Sequence, residues 1–206
     1  LKQKYSTEST ESRDKKTLFA KNNIDKFDIM DKYWLERTEL LIKNEGLERL
    51  QNAKVLVVGL GGVGSFAAEF LARAGIGTMI IADGDVVDIT NINRQLPALH
   101  STIGQHKVEL VGDRLMDINP ELKLTKINEF LEPERMEELI KSEKFDYVLD
   151  CIDSLTPKLT LIKTCRRHKI KLVSSMGAGG KSDPSKVMVR DLQKTNNCLL
   201  AKQVRK

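Results

Sequence analysis

Cysteine is scarce in this chain: three residues in 206, Cys151, Cys165 and Cys198, stand far apart. That excludes a disulfide-dense scaffold, and a zinc ribbon could form only with other ligands. Isolated cysteines agree with a reducing, intracellular setting, so a cytoplasmic location is expected. Long hydrophobic runs are missing too. The apolar stretch around Val55 to Val63 is too short and too rich in glycine to span a bilayer. No apolar signal segment stands at the amino terminus. Aromatic residues make up only 5% of the chain, and the polar stretch KYSTESTESRDKK is nearly free of them. Residues 1–31 therefore read as a flexible or accessory extension.

A surplus of acid is also lacking. There are 34 Lys and Arg against 29 Asp and Glu, a formal charge of +5. The surplus is local: 186–206 carries six basic residues and one acidic one, so everything before it sums to zero. A basic tail of this kind is compatible with a nucleic-acid backbone, although a solvated face is the commoner reading of such charge.

What is present suits one folded domain, 32–206, with 40% apolar and 31% charged residues overall. The segment WLERTELLI predicts a helix over 33–41, and a second short one follows over 44–51. Strands and helices then alternate. KVLVVGL (54–60), TMIIAD (78–83), LKLTKINEF (122–130), FDYVLDC (145–151) and KIKLVSSMG (169–177) read as strands; 63–74, 105–116, 133–143 and 154–168 read as helices. Strands separated by helices predict an α/β fold: a doubly wound, mostly parallel Rossmann-like sheet with helices on both faces.

The motif GLGGVG, Gly59 to Gly64, falls directly between a strand and a helix. In that context Gly59 and Gly61 permit a tight turn and close backbone approach, and Gly64 lets the helix pack on the sheet. The helix N-terminus then faces an anionic phosphate. Asp83, 24 residues after Gly59, ends the second strand, where a carboxylate can accept from ribose hydroxyls; Asp85 and Asp88 are weaker candidates. The following loop, TNINRQ, brings Asn91, Arg94 and Gln95 to the carboxyl ends of the strands, and Lys107 opens the next helix. Arg94 and Lys107 suit charge stabilisation at phosphorus, though each is equally at home on a solvated face. DCIDS places Asp150 and Asp153 at another strand end, where carboxylates can hold Mg²⁺. Asp150 could instead be structural, and Asp153 could cap the helix beginning near Leu155. GGKS, Gly179 to Ser182, is not a phosphate loop: position 175 is Ser175 rather than glycine, and KSDPSK follows instead of a helix.

Together, GLGGVG, the strand-end Asp, NxxRQ, the later Lys and DCxDS resemble the ubiquitin-activating-like adenylating enzymes of the ThiF and MoeB superfamily over residues 34 to 206. RTELLI, TNINRQLPALHSTIG, SSMGAGGKSDP and DLQKTNNCLLAKQVRK most resemble its tRNA threonylcarbamoyladenosine dehydratase branch, the TcdA or CsdL proteins. The resemblance implies ATP-dependent cyclisation of N6-threonylcarbamoyladenosine in tRNA through an acyl-adenylate. It implies that Gly59, Gly61, Gly62, Gly64, Asp83 and Asp85 surround the nucleotide and that Asn91 supports the loop. Arg94, Gln95 and Lys107 would lie around the phosphates, with Arg94, Lys107 and Asp153 catalytic and Asp153 on the Mg²⁺ side. Arg37 would reach a phosphate, in relatives often that of a dimer partner. A homodimer, tRNA and a sulfur-transfer protein are the partners it suggests.

Relatives that serve sulfur carriers or ubiquitin-like proteins often hold zinc on two CxxC pairs, absent here. Adenylation of a carrier protein's C-terminus is therefore the alternative; an NAD oxidoreductase and a non-catalytic nucleotide sensor rank lower. Cys198 precedes Leu199 where the family has Cys-Pro, which favours a structural cysteine; Cys151 is expected in the core. His100 and His106 are expected at the surface or behind the site. Family members usually continue past such a tail, so the resemblance implies truncation at the C-terminal end.

Overall fold

The structure, a computed structural model, describes residues 34–206. The expected extension over 1–31 and the first residue of the expected opening helix, Tyr33, lie outside the described residues. The chain divides into two compact units, one ending at Leu47 and one running Glu48–Lys206.

Helix α1, Glu36–Asn52, is interrupted at Lys43, whose φ of 63° and ψ of 171° are not helical. The two helices expected at 33–41 and 44–51 thus abut at this residue. Gly46 sits just beyond the break, where a Cβ would lie 2.8 Å from Ile42 Cβ.

In the second unit, strands β1 (Lys54–Val58), β2 (Thr78–Ala82), β3 (Lys123–Ile127), β4 (Tyr147–Asp150) and β5 (Leu172–Ser174) form one sheet. Its order is β3-β2-β1-β4-β5, and every pairing is parallel. Parallel neighbours need crossovers. These are helices α2 (Gly64–Arg73), α3 (Lys107–Ile118), α4 (Pro133–Ser142) and α5 (Leu155–Arg167).

Central strands read as unbroken apolar runs because both faces are covered. On one face Val55, Val57, Met79 and Ile81 pack with Ala68 and Ala72 of α2 and Val108, Val111 and Leu115 of α3. On the other, Leu56, Val58, Ile80, Ala82 and Val148 pack with Met136, Leu139 and Ile140 of α4 and Leu161 and Cys165 of α5. Each such large side chain contributes about 1.5–3 kcal/mol relative to exposure. The doubly wound sheet expected from the alternation is the one observed. The chain winds outward from β1 through β2 to β3, then returns to build β4 and β5 on β1's other side. The strand order therefore reverses beside β1, and ligands of such sheets bind at the carboxyl ends there.

The edge strands are shorter than expected. β5 covers 172–174 rather than 169–177 because its one partner, β4, pairs with only Leu172, Val173 and Ser174. Lys169 has a φ of 57°, and the Ile170 N–H bonds to the Cys165 carbonyl, so these residues close α5. β3, the other edge, spans 123–127 rather than 122–130. Helix α3 starts at Lys107 rather than 105 because the Gln105 carbonyl accepts from Val87 N and His106 bridges to Val86. A final helix, α6 (Leu199–Val204), occupies the basic tail and packs against α5. No helix among the described residues is long and apolar enough to cross a membrane.

Candidate functional site

The turn between β1 and α2 is shaped by close backbone approach. Gly59 has a φ of 88°, and a Cβ there would stand 2.8 Å from the Cys151 carbonyl oxygen at the end of β4. A Cβ on Gly64 would stand 1.7 Å from the Gly59 carbonyl oxygen and 3.0 Å from Cys151 Cβ. Only glycine fits at these two positions, and the turn is thereby pressed against the sheet. Gly61 and Gly62 differ. Their nearest neighbours are Gln95 Nε2 at 3.6 Å and the Arg94 carbonyl oxygen at 3.4 Å, which leaves room on the turn's outer side. Helix α2 begins after Val63 with no side-chain cap. Apart from the Ser65 N–H, which donates to the Gly61 carbonyl at 3.3 Å, its first N–H groups are therefore available to an anion.

Asp83 is tied into this turn. One carboxylate oxygen accepts from the Leu60 N–H at 2.6 Å and the other from the Asp85 N–H at 2.7 Å. Burial pushes its pKa up, against the lowering effect of those two bonds. A carboxylate has about four lone-pair positions, so acceptor capacity remains for ribose hydroxyls. Asp85 is exposed, and its carboxylate holds the Lys107 ammonium at 2.8 Å. Lys107 itself is nearly fully buried at the start of α3, with its N–H on the Asp85 carbonyl.

Asn91 is buried and organises the loop: its Oδ1 accepts from Asp88 N, and its carbonyl accepts from the N–H groups of Arg94 and Gln95. Asp88 accepts in turn from Thr90. The resulting tight turn carries Arg94, exposed, over Gly62, where its Nη1 donates to the Thr90 carbonyl and Asn93 Oδ1. Gln95 lies beside Gly61, and its Oε1 is buried without a partner. A buried orphan acceptor is rare, and a ligand or water would complete it.

The two carboxylates of DCIDS separate clearly. Asp150 is fully buried and ion-paired with the equally buried Lys158 at 2.8 Å. Asp153 is exposed, and no hydrogen bond or ion pair engages its carboxylate among the described residues. It does not cap α5; Ser154 stands at that position without a side-chain bond. Among the described residues no group of three His, Cys, Asp or Glu side chains could cage a metal ion. A free carboxylate beside a glycine turn able to take phosphate fits the usual mode of Mg²⁺, which takes one or two carboxylates plus substrate phosphates.

The glycine turn, Asp83, Arg94, Gln95, Lys107 with Asp85, and Asp153 therefore gather at the carboxyl ends of β2, β1 and β4, three adjacent strands. Arg37 is exposed on the first turn of α1, in the other compact unit.

Residues 35–206, which include all of these strand-end residues, match the ThiF family. The chain belongs to the ThiF family. Within it, the chain is 48% identical over 169 residues to a tRNA threonylcarbamoyladenosine dehydratase of Bacillus subtilis, covering 82% of this chain and 66% of that protein. It is 41% identical over 130 residues to a molybdopterin-synthase adenylyltransferase of Salmonella typhimurium, covering 63% of this chain and 51% of that one. Among solved structures it resembles the E. coli tRNA N6-threonylcarbamoyladenosine dehydratase TcdA in complex with ATP. That match has a TM-score of 0.80 and 43% identity over 84% of this chain and 72% of that one. The chain spans 60–66% of the length of three curated bacterial dehydratases it matches, less than two thirds.

The cysteines agree with structural roles. Burial pushes the Cys151 and Cys165 thiols up to about 11. Cys198 Sγ accepts from Ala201 N at 3.4 Å and so caps α6. Desolvation pushes this thiol up, but the backbone groups of Ala201 and Gly177 and the Lys181 charge outweigh it, and its pKa falls below the usual value. His106 stands just before α3 and His100 opens a short 3₁₀ turn, both exposed. Gly179 to Ser182 are exposed, and a 3₁₀ turn at Pro184–Lys186 follows rather than an α-helix. One member of the arrangement is absent from the sequence reading: Lys158. Its signal was a lysine within the apolar run of LTPKLTLI, at a position that faces the core.

Proposed function

We propose that this chain carries the adenylating centre of an ATP-dependent tRNA threonylcarbamoyladenosine dehydratase. The observation that carries this reading is the meeting of the glycine turn, Arg94, Gln95 and an unpaired Asp153 at neighbouring strand ends. The ATP-bound relative, 43% identical, supports ATP as co-substrate.

In the first step an oxygen of the threonyl carboxylate attacks the α-phosphorus of ATP. The new O–P bond forms as the bond to the β-phosphate oxygen breaks, and pyrophosphate leaves. In the second step the carbamoyl nitrogen or oxygen attacks the activated carbonyl carbon. AMP departs, a proton is lost, and the ring closes with net removal of one water. The free N–H groups of the turn and of the first turn of α2 bind phosphate oxygens. Asp83 holds the ribose while fastening Leu60 in place. Arg94 stabilises the charge that builds at phosphorus, and Lys107 joins it by exchanging its bond to Asp85 for phosphate oxygen. Asp153 would hold Mg²⁺, which when bound supplies charge neutralisation to the phosphates.

The tail supports contact with the tRNA backbone. Lys186, Arg190, Lys194, Lys202 and Lys206 are all exposed. Binding through such residues weakens steeply with salt. We also assign the protein to the cytoplasm as a homodimer in which Arg37, exposed on α1, serves the nucleotide of the second copy. A sulfur-transfer protein would be a further partner by family resemblance.

The similarity to an adenylyltransferase favours one other reading, activation of a carrier protein's C-terminus. AMP and pyrophosphate release separates the two. Release on addition of tRNA bearing the modified adenosine, and its loss in Asp153→Ala with an unchanged melting curve, supports the dehydratase. Release only on addition of a carrier protein overturns it.

A further inference from the structure

Asp150 and Lys158 are both completely buried and form an ion pair at 2.8 Å. Lys158 Nζ has three donors and three acceptors: Asp150 Oδ2, the Ser175 carbonyl at 2.9 Å and Ser174 Oγ at 3.3 Å. Asp150 is equally committed. Its Oδ2 also accepts from Ser174 Oγ at 2.5 Å, and its Oδ1 accepts from the Ile152 N–H at 3.1 Å. The cluster therefore joins the end of β4, the turn after it, the start of α5 and the end of β5.

A buried ion pair is a poor device for stability alone, because desolvation offsets its attraction and an apolar pair of similar shape often serves as well. Its value here is geometric. Asp153 is the residue after Ile152, whose N–H Asp150 holds, and it comes five residues before Lys158. Among the described residues no hydrogen bond or ion pair engages the Asp153 side chain. The place from which that carboxylate starts is thus set by the backbone of a turn that the buried cluster pins from both ends.

We propose that the Asp150–Lys158 pair is a positioning device for Asp153: it fixes the β4–α5 turn so that the Asp153 carboxylate meets the phosphates of ATP. This rests on the dehydratase reading above. The pair touches no substrate, so it acts on the rate of adenylation and leaves ATP binding at the glycine turn nearly intact.

The test uses the full chain with ATP and tRNA bearing the modified adenosine. ATP affinity is measured by titration with a fluorescent ATP analogue, and adenylation by AMP release in a single turnover. The double variant Asp150→Asn/Lys158→Met removes both charges together, so no buried charge is left alone. It is expected to bind ATP within about threefold of wild type while AMP release slows by roughly 30- to 100-fold, as misplacement of a reacting group by about 1 Å would produce. In an Asp153→Asn background the same pair of substitutions should change the residual rate by less than about threefold, since coupled residues do not act additively. An unchanged rate, an equal loss of affinity and rate, or full additivity with Asp153→Asn overturns the proposal. Should the double variant fail to fold, Ser174→Ala decides, because it removes one bond from each partner and keeps both charges. A slower release with normal ATP affinity supports the proposal, and a wild-type rate rejects it. A wild-type chain that releases no AMP with tRNA condemns the dehydratase reading and this inference with it. An active wild type matched by its variants condemns the inference alone.

Discussion

Gly64→Ala is the sharpest perturbation of the nucleotide turn. An alanine Cβ would lie 1.7 Å from the Gly59 carbonyl oxygen and 2.8 Å from the Gly59 carbonyl carbon, where real Cβ atoms essentially never come within 3.0 Å. To reach that limit the two groups must separate by about 1.3 Å, the difference between 3.0 and 1.7. Both are backbone, so no flexible side chain can give way. Behind Gly64, Cys151 Cβ at 3.0 Å blocks retreat toward the sheet. Forced overpacking of this kind costs about 1–3 kcal/mol, occasionally more. The upper end applies here, which lowers the melting temperature by roughly 6–12 °C in a chain of this size. The same shift moves the N–H groups proposed to bind phosphate by about 1 Å, and ATP affinity should fall by about two orders of magnitude. Gly61→Ala is the control. Its Cβ would meet only the Gln95 side chain, Nε2 at an ordinary 3.6 Å and Cδ at 3.9 Å. The melting temperature should therefore stay within about 3 °C of wild type, while the methyl group obstructs the phosphates and ATP affinity drops. Melting curves and ATP titration of the two variants together form the assay. If Gly64→Ala melts with wild type and binds ATP normally, the turn is not packed as described.

Gly77→Ala separates stability from the site in the opposite sense. Its Cβ would lie 1.7 Å from the Gln51 carbonyl oxygen, remote from the strand ends proposed to bind nucleotide, so the melting temperature should fall by at least about 5 °C. ATP affinity of the folded fraction should be unaltered. The Glu69 carboxylate is held below its usual pKa chiefly by a hydrogen bond from Arg114, with Arg73 helping and burial opposing. A lowered folded pKa contributes stability above the unfolded value of 4.5, and that contribution is lost as pH falls through the folded value. Glu69→Gln should therefore reduce stability at neutral pH and flatten the acid limb of a denaturation series; an unchanged limb would count against the network. Cys198, with its thiol lowered, should alkylate first in the native protein, before Cys151 and Cys165, whose thiols are pushed up to about 11. Peptide mapping after brief iodoacetamide treatment at neutral pH checks the order.

How far the residues announced this arrangement depended on whether their partners were near in sequence. The β1–turn–α2 unit was legible because its signals are local: an apolar run, glycines at the turn, then a helical pattern. The sheet followed, since each apolar run between helices needs a parallel neighbour. The edges did not. KIKLVSSMG has the composition of a nine-residue strand, yet β4 offers pairing for only three residues, and Lys169 closes a helix instead. At the site, Asp83 was legible by its place at a strand end, but its bonds to Leu60 and Asp85 span a fold that spacing cannot show. Asp85 is expected beside the nucleotide; its ion pair with Lys107, 22 residues away, is something spacing cannot show. Asp150 and Asp153 are alike in sequence and opposite in setting. Only the burial of Lys158, on the next helix, distinguishes the structural carboxylate from the free one.

The central claim is that this chain removes water from N6-threonylcarbamoyladenosine in tRNA at the expense of ATP. Mass spectrometry of nucleosides digested from tRNA after incubation with the chain, ATP and Mg²⁺ tests it most directly. The account predicts that the modified adenosine gives way to a product lighter by one water, only when ATP is present and not with Asp153→Ala. An unchanged nucleoside, in a preparation where an authentic dehydratase converts the same tRNA, would contradict it.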